Sequence, residues 1–552
     1  MHVNCAGMIL FSIPDKKVLL VQHKEGHWGF PKGQIEQGET ELQAACRELQ
    51  EETGAFWNGI LNPKRVKLSE EYLVHTVKGL RKSVVYFVAF TCDMKLNWQP
   101  GEIVNARWLS LNQINQLRSF YSKKLLAPLD KILQSEVIIR VDEQVDLEMP
   151  LSSSARIQGS KHAYSRIAPL LFIYKSLKIN NIPRTIDSYA IHQLIRLSFQ
   201  NHGQLLMIPP HLSNLSRSIM SCIPALLFIH PKVRFYQPKG CQIGERKIDL
   251  YLQVICRFGV QLKLYDDGMV ELERGVLEPT AIKLPFPSFT GSSTAIILTS
   301  MVKGNSYIEN ISIEPEIIEL IEVLRLLGLD VTFFTERNIV IKNRWKPKLV
   351  NWTLSEDRNV LVTRLMMALI SGREFKYTSQ RPLYLTPLMD VLERMGVRFS
   401  YSPYSIHLFP DQLEHLKPVH ITCDHFPGFC SDWQPLIAPV LSKINGTSVV
   451  QDRIFENRYR YIEQINRINP NFIYEVRSDE LRIKGIKGNH GDAMDAESID
   501  LRSAAANIIA LVGENNSSKI KGLFQLLRGY EDMLSDLRSV GGFHVTFDVA
   551  GS

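Results

Sequence analysis

The chain has 552 residues, 45% of them hydrophobic and 22% charged, a length for about three or four domains and a usage that excludes disorder, collagen and coiled coil as global descriptions. The 64 basic and 57 acidic side chains leave a net charge of +7, an excess too thin over so large a surface to mark a nucleic-acid binder, although local anionic sites stay open. No apolar run approaches the ~20 residues that span a bilayer, Met1–Gly7 lacks a basic region ahead of a long apolar one, and the eight scattered cysteines contain no C-x-x-C pair. The chain therefore reads as a soluble cytoplasmic protein with mostly buried, reduced thiols.

In chain order, the runs 8–11 and 18–21 flank the turn signal Pro14-Asp15-Lys16 and predict a hairpin. A Gly-rich loop follows, then an amphipathic helix near 40–53, a strand over 83–90 and a strand-helix pair from Arg107 to Leu117. Within the helix, Glu48, Glu51 and Glu52 stand at i, i+3 and i+4, so their carboxylates share one face. Such like charges repel unless a hard divalent cation sits among them, and Mg²⁺ suits carboxylate oxygens while leaving positions for phosphate. Gly54 suits the helix C-terminal cap, and Arg47 is placed to hold the acidic cluster.

The stretch 135–154 reads as a linker, with Val137–Val141 alternating like a strand of the second body. From about residue 157 the pattern repeats. Stops at Gly259, Gly328 and Gly396 are spaced by 69 and 68 residues, with Gly541 about two periods further, and turns at Gly304, Gly372, Gly446 and Gly513 keep a similar count. Six copies of a mixed α/β unit are predicted. Between the turn at Gly203 and the stop at Gly259, Cys241 lies between Lys239-Gly240 and Arg246, an electropositive setting that favours thiolate.

Residues 33–55 match the Nudix box, G-x5-E-x7-R-E-U-x-E-E-x-G-U, at every fixed position, so residues 1–133 are identified as a Nudix hydrolase domain. The resemblance implies an α/β/α sandwich and metal-assisted attack of water on a phosphoanhydride. Glu48, Glu51 and Glu52 become ligands of Mg²⁺ or Mn²⁺, Glu51 and Glu52 also catalytic, with Glu102 a further ligand or base from a later loop. His27-Trp28-Gly29-Phe30-Pro31-Lys32-Gly33, Ser83–Tyr86 and Ala106–Leu109 resemble diadenosine polyphosphate hydrolases, with Lys32 on phosphate and Tyr86 stacked on a base.

The segments Gln158-Gly159-Ser160-Lys161, Leu215-Ser216-Arg217-Ser218, Pro427–Asp432, Phe455-Glu456-Asn457-Arg458, Asp500-Leu501-Arg502 and Leu527-Arg528-Gly529-Tyr530 resemble, in order and spacing, UDP-N-acetylglucosamine enolpyruvyl transferases. That likeness covers 134–552 and implies an α+β, two-lobed fold: six βαβαββ-type units in an inside-out α/β barrel, lobe A about 157–354 and lobe B about 134–156 plus 355–552. It implies transfer from phosphoenolpyruvate to a hydroxyl of a UDP-sugar or uridine nucleotide, with phosphate released and no cofactor. Lys161, Arg217, Arg246 and Arg528 would hold phosphoenolpyruvate, since its phosphate and carboxylate need fixed cations. Cys241 would be the acid and adduct residue, and Asp432 the base near the acceptor hydroxyl. Asp249 and Leu250 would hold the uridine end, and Asp500, Leu501 and Arg502 would close over the site. The family's usual Asn after the active-site Lys is replaced by His162.

The reading is thus a bifunctional enzyme acting on small molecules, with nucleic acid and membrane not expected as partners and the oligomeric state unread. The alternatives are a nucleotide sensor with one active head and an RNA end-processing protein.

Overall fold

The computed structural model describes residues 2–12, 17–36, 38–54, 67–73, 81–91, 96, 103–117, 119–120, 122–126, 129, 137–142, 156–201, 203–237, 248–344, 348–410, 413–456, 458–485, 494–514, 520–531 and 544–549. The N-terminal strands form one mixed sheet around the strand His2–Ser12, which runs parallel to Arg81–Thr91 and antiparallel to Lys17–His23 and Lys32–Gln34. Alternation along the central strand sends Ala6, Met8 and Leu10 to the face covered by Ala44, Ala45 and Leu49 of the helix Glu41–Thr53. Cys5, Ile9 and Phe11 go to the opposite face, where Ile114, Phe120 and Leu125 pack. A sheet apolar on both faces must be covered on both, which is why helical segments flank it.

The chain from 156 onward repeats one motif. In the sheets Leu205–Met207/Lys232–Tyr236/Met269–Arg274/Val260–Leu264, Ala281–Lys283/Gly304–Glu309/Asn338–Asn343/Asp330–Thr335 and His420–Cys423/Gly446–Asp452/Glu480–Gly485/Phe472–Val476, a parallel pair is followed by an antiparallel hairpin, in the same spatial order. A fourth such sheet is completed from far upstream: Val137–Asp142 pairs antiparallel with both Ile520–Lys521 and His544–Val549. The periodic glycines have a backbone reason. Gly259, Gly328 and Gly396 follow helices with φ of 88°, 105° and 84°, the left-handed region where a side chain is strained.

Most buried apolar residues of 163–354 share one cluster, while those from 360 to 530 belong to another that also takes in Ile157, Ile186 and one face of the N-terminal sheet. Two chain crossings join them and pair with each other: Ser160 N–H donates to Ser355 O at 2.7 Å and Asp357 N–H to Gln158 O at 2.9 Å. Gly159 is tight at this crossing, since a Cβ there would stand 1.8 Å from Asn181 O. Asp357 ties two helices to it. Its Oδ1 caps the helix Arg358–Ile370 through Asn359 N–H at 2.9 Å, and its Oδ2 accepts from Lys161 N–H at 3.1 Å, at the start of the helix Lys161–Ile167.

A buried ion cluster spans the same junction. Arg358 reaches Glu314 Oε2 at 3.0 Å and Glu316 Oε2 at 2.9 Å, and its guanidinium lies 5.6 Å from the Trp433 ring centroid. Burial alone would lower the Arg358 pKa, but Glu316 and Glu314 outweigh it and raise it. Removing the cation would strand two desolvated carboxylates, so Arg358→Ala should cost about 3–5 kcal/mol, read as a fall in thermal midpoint. Glu316→Gln, which leaves the Arg358–Glu314 pair, should cost less. No helix among the described residues is long and apolar enough to cross a membrane.

Candidate active sites

In the N-terminal domain the acidic helix is built by its ends. Thr40 caps it with a reciprocal box to Gln43, and Gly54 closes it at φ 64° while donating to Gln50 O at 2.8 Å. Arg47 gathers the acids: it reaches Glu39 at 3.0 Å, Glu48 at 2.6 Å, Glu51 at 3.0 Å and the Gln34 carbonyl at 3.0 Å. Burial pushes the Glu48 carboxyl up in pKa, against the pull of Arg47. Glu52 Oε2 accepts from Lys32 N–H at 3.1 Å, which ties the helix to the loop before it. Glu51 is exposed.

Gly33 is fixed by this packing. A Cβ there would stand 2.0 Å from Glu48 Oε1 and 2.4 Å from Oε2, so only glycine lets the carboxylate lie against the loop. Gly33→Ala should therefore lower the hydrolase rate roughly 100-fold, the scale of a ~1 Å misplacement, with transferase turnover unchanged in the same preparation.

The resemblance had Tyr86 stacking on a base, and this is corrected. Tyr86 is fully buried, edge-on to Phe30 with ring centroids 5.4 Å apart, and it offers no open face. Lys32 does face the loop: a Cβ on Gly29 would meet both Lys32 Nζ and His23 Nε2 at 3.7 Å. Burial, with Lys32 and His27 beside it, lowers the His23 pKa to about 4. His23, Glu25 and His27 bring ligand atoms within 4.8 Å of one another, but the Lys32 ammonium in that corner works against a cation. Glu102 lies outside the described residues.

In the transferase part, Lys161 Nζ donates to Asp187 Oδ2 at 3.0 Å and to Arg528 O at 3.3 Å. Arg528 Nη2 in turn donates to Leu215 O at 3.4 Å, two residues before Arg217. Lys161 and Arg528, distant in sequence, thus meet in one corner, and the short helix Arg217–Ser221 starts beside it. Asp187 anchors it. Burial would raise the Asp187 carboxyl, but Lys161 and Arg528 hold it below the usual range, and Ser216 Oγ donates to its Oδ1 at 2.6 Å.

Asp432 faces this corner from the other half. Arg458 pairs with Oδ1, Arg502 with Oδ2 at 3.0 Å, and His162 Nε2 lies 3.7 Å from Oδ2. Burial would raise the Asp432 carboxyl, yet Arg502 and Arg458 hold it well below the ordinary carboxylate range. Arg458 is braced through Ser431 Oγ at 2.7 Å. Asp500 serves the backbone: it caps the helix Leu501–Val512 through Arg502 N–H at 2.8 Å and Ser503 N–H at 2.9 Å, and so aims Arg502 at Asp432. Leu501 is buried against Gly529. Asp249 is exposed at the start of the helix Asp249–Arg257, with Leu250 half-buried beside it. Cys241 and Arg246 lie outside the described residues.

Asp187, Asp357 and Arg358 were not singled out from the sequence. A signal existed for two of them: Thr185-Ile186-Asp187-Ser188 and Asp357-Arg358-Asn359 each carry a helix-capping residue, but capping does not announce a buried ion pair.

A cationic corner and an ion-paired carboxylate set across two repeated α/β halves, behind an acidic-helix domain, define an enolpyruvyl transferase joined to a Nudix hydrolase domain. Residues 214–537 match the family model described as EPSP synthase (3-phosphoshikimate 1-carboxyvinyltransferase), and residues 1–128 match the NUDIX domain. The chain belongs to the EPSP synthase family and carries a NUDIX domain ahead of it. Curated relatives include UDP-N-acetylglucosamine 1-carboxyvinyltransferases of Kosmotoga olearia, 25% identical over 74% of this chain and 98% of the relative, and of Campylobacter jejuni, 27% identical over 71% and 96%. Among solved structures, the enolpyruvyl transferase NikO from Streptomyces tendae aligns with a TM-score of 0.65 and 22% identity, and EPSP synthase from Acinetobacter baumannii with 0.54 and 14%. Each covers 75% of this chain and 100% of its own, and they speak for the fold.

Proposed function

We propose that this chain transfers the enolpyruvyl group of phosphoenolpyruvate to a hydroxyl of a UDP-sugar or uridine nucleotide, and that its N-terminal domain hydrolyses a nucleoside polyphosphate or diphosphate-linked compound. The observation that carries the first half is the Lys161–Arg528 corner: two cations converge there on Asp187, where a doubly anionic substrate needs fixed positive charge, and Arg217 is taken as a third from the turn beside them. The curated relatives' acceptor, a UDP-sugar, supports the acceptor class. On this reading residues 1–133 form the hydrolase and 134–552 the transferase, with six repeat units in an inside-out barrel, lobe A about 157–354 and lobe B the remainder. The pairing of Val137–Asp142 with the last strands supports that division. Cys241 is the acid and adduct residue, and Arg246 a further phosphate ligand. Asp249 and Leu250 belong to the uridine end, and Arg502, aimed by its Asp500 cap, to the closing segment. The enzyme works in the cytoplasm.

The hydrolase donor set is chemically fit for Mg²⁺ or Mn²⁺. Glu48, Glu51 and Glu52 offer hard oxygens on one helix, with Glu102 as a further donor. Bound there, the ion would activate water and neutralise developing charge. Arg47 keeps the acids oriented, and Lys32 meets the phosphate.

The test is phosphate release from phosphoenolpyruvate by the full chain, with UDP-N-acetylglucosamine, UMP and other uridine nucleotides offered one at a time. Release with one acceptor, abolished by Cys241→Ala, is the expected result. No release with any of them would leave the transferase reading without support and favour a nucleotide sensor.

A further inference from the structure

His162 occupies a position that the transferase reading leaves without a role. It is the second residue of the helix Lys161–Ile167, immediately after the lysine of the cationic corner. Its Nε2 is buried and has no hydrogen-bond partner among the described residues, an expensive state for an imidazole nitrogen unless something else fills it. The nearest acidic oxygen, Asp432 Oδ2, is 3.7 Å away. That is too long for a direct hydrogen bond, but two atoms so spaced can both contact one intervening oxygen.

Asp432 is poorly suited to take a proton there. Each of its oxygens already faces a guanidinium, Arg458 on Oδ1 and Arg502 on Oδ2. Carboxylates so paired stay ionised, because protonation forfeits both charge-assisted bonds. Their negative charge still serves a neighbour, since it stabilises an imidazolium formed beside it. The charged groups around His162 are Lys161 and Arg166 on its own helix, Asp432 with Arg458 and Arg502 from the other half, and Glu316 from the helix Pro315–Leu326. Arg166 is turned onto the Phe289 ring, 4.0 Å from its centroid, and His162 meets the same ring edge-on. Phe289 thus fixes the imidazole in place.

We propose that His162 Nε2 is the general base that deprotonates the acceptor hydroxyl, with Asp432 as its charge partner. This rests on the transferase reading above. The O–H bond of the acceptor breaks, its proton passing to Nε2 and its electron pair forming the new bond to C2 of phosphoenolpyruvate. C3 of the double bond takes a proton from the acid of the site. The tetrahedral adduct then loses the C2–O bond to phosphate and a proton from C3, and one enolpyruvyl ether and one phosphate result. The proton on His162 leaves with phosphate or water.

The experiment is steady-state transferase kinetics against pH for the full chain and for His162→Gln and His162→Asn. With His162 as base, the wild-type kcat profile should carry an acid limb that the variants lack. Both variants should lose about 100- to 10,000-fold in kcat, the range for general-base removal, with little change in KM and with that acid limb gone. If either folded variant kept kcat within about threefold, or changed KM alone, or retained the acid limb, the assignment of His162 would be wrong while the transferase reading stood. A wild-type chain that transfers to no hydroxyl acceptor would overturn both.

Discussion

Lys161→Ala should abolish enolpyruvyl transfer, with kcat/KM for phosphoenolpyruvate down on the order of 1,000-fold or more, the scale for losing a preorganised charge at a reacting anion. Lys161 is buried, its ammonium shared between Asp187 and the Arg528 carbonyl. Truncation removes one cation from this corner and leaves Asp187 against Arg528 alone. Part of the loss will be stability, because a buried carboxylate deprived of its partner is costly. Lys161→Ala with Asp187→Asn separates the two effects: the second change should restore thermal stability and leave transfer absent. Lys161→Arg should also fail, since the planar fork does not fit a site that holds one ammonium between a carboxylate and a carbonyl.

The second large effect concerns the other domain. Glu52→Gln should lower phosphoanhydride hydrolysis about 100- to 10,000-fold, the range for a lost acid-base group, with no change in phosphate release from phosphoenolpyruvate. Glu52 is the acid whose carboxylate meets the loop at Lys32 N–H, so it stands where the helix and that loop converge. The amide keeps the size and the accepting oxygen, so the loop anchor survives and the lost charge is what the assay reads. Equal rates for the variant and wild type would remove Glu52 from the hydrolase machinery.

The acidic helix was legible in the sequence because everything that defines it is local. Carboxylate spacing, the cap at Gly54 and the Arg47 clamp all lie within fifteen residues, and helical geometry converts spacing into position. The glycine period was legible for the same reason, each stop being a local backbone need. The transferase corner was not legible from spacing, because Lys161 and Arg528 are 367 positions apart, and only the family likeness linked them. Asp187 was hidden by its ordinary look as an acid in a helix's first turn, although burial makes it the corner's counter-charge. Tyr86 failed in the opposite way. It sits in an apolar run, Val84 to Phe90, of a strand parallel to the sheet's central one, which signals burial on both faces.

Asp432 shows where likeness and geometry part. The resemblance makes it the base, while the pairing with Arg458 and Arg502 makes it a fixed anion, and the departure from the family at His162 supplies a different proton acceptor beside it. On the assignment proposed for His162, a substitution that looks minor in sequence changes which group does the chemistry.

The most direct measurement of the central claim is mass spectrometry of the acceptor nucleotides after incubation of the full chain with phosphoenolpyruvate. The account predicts that one uridine nucleotide or UDP-sugar gains the mass of a single enolpyruvyl group, in step with phosphate release and not with Lys161→Ala. Unmodified acceptors in the presence of the folded protein, whether or not phosphate appears, would contradict it.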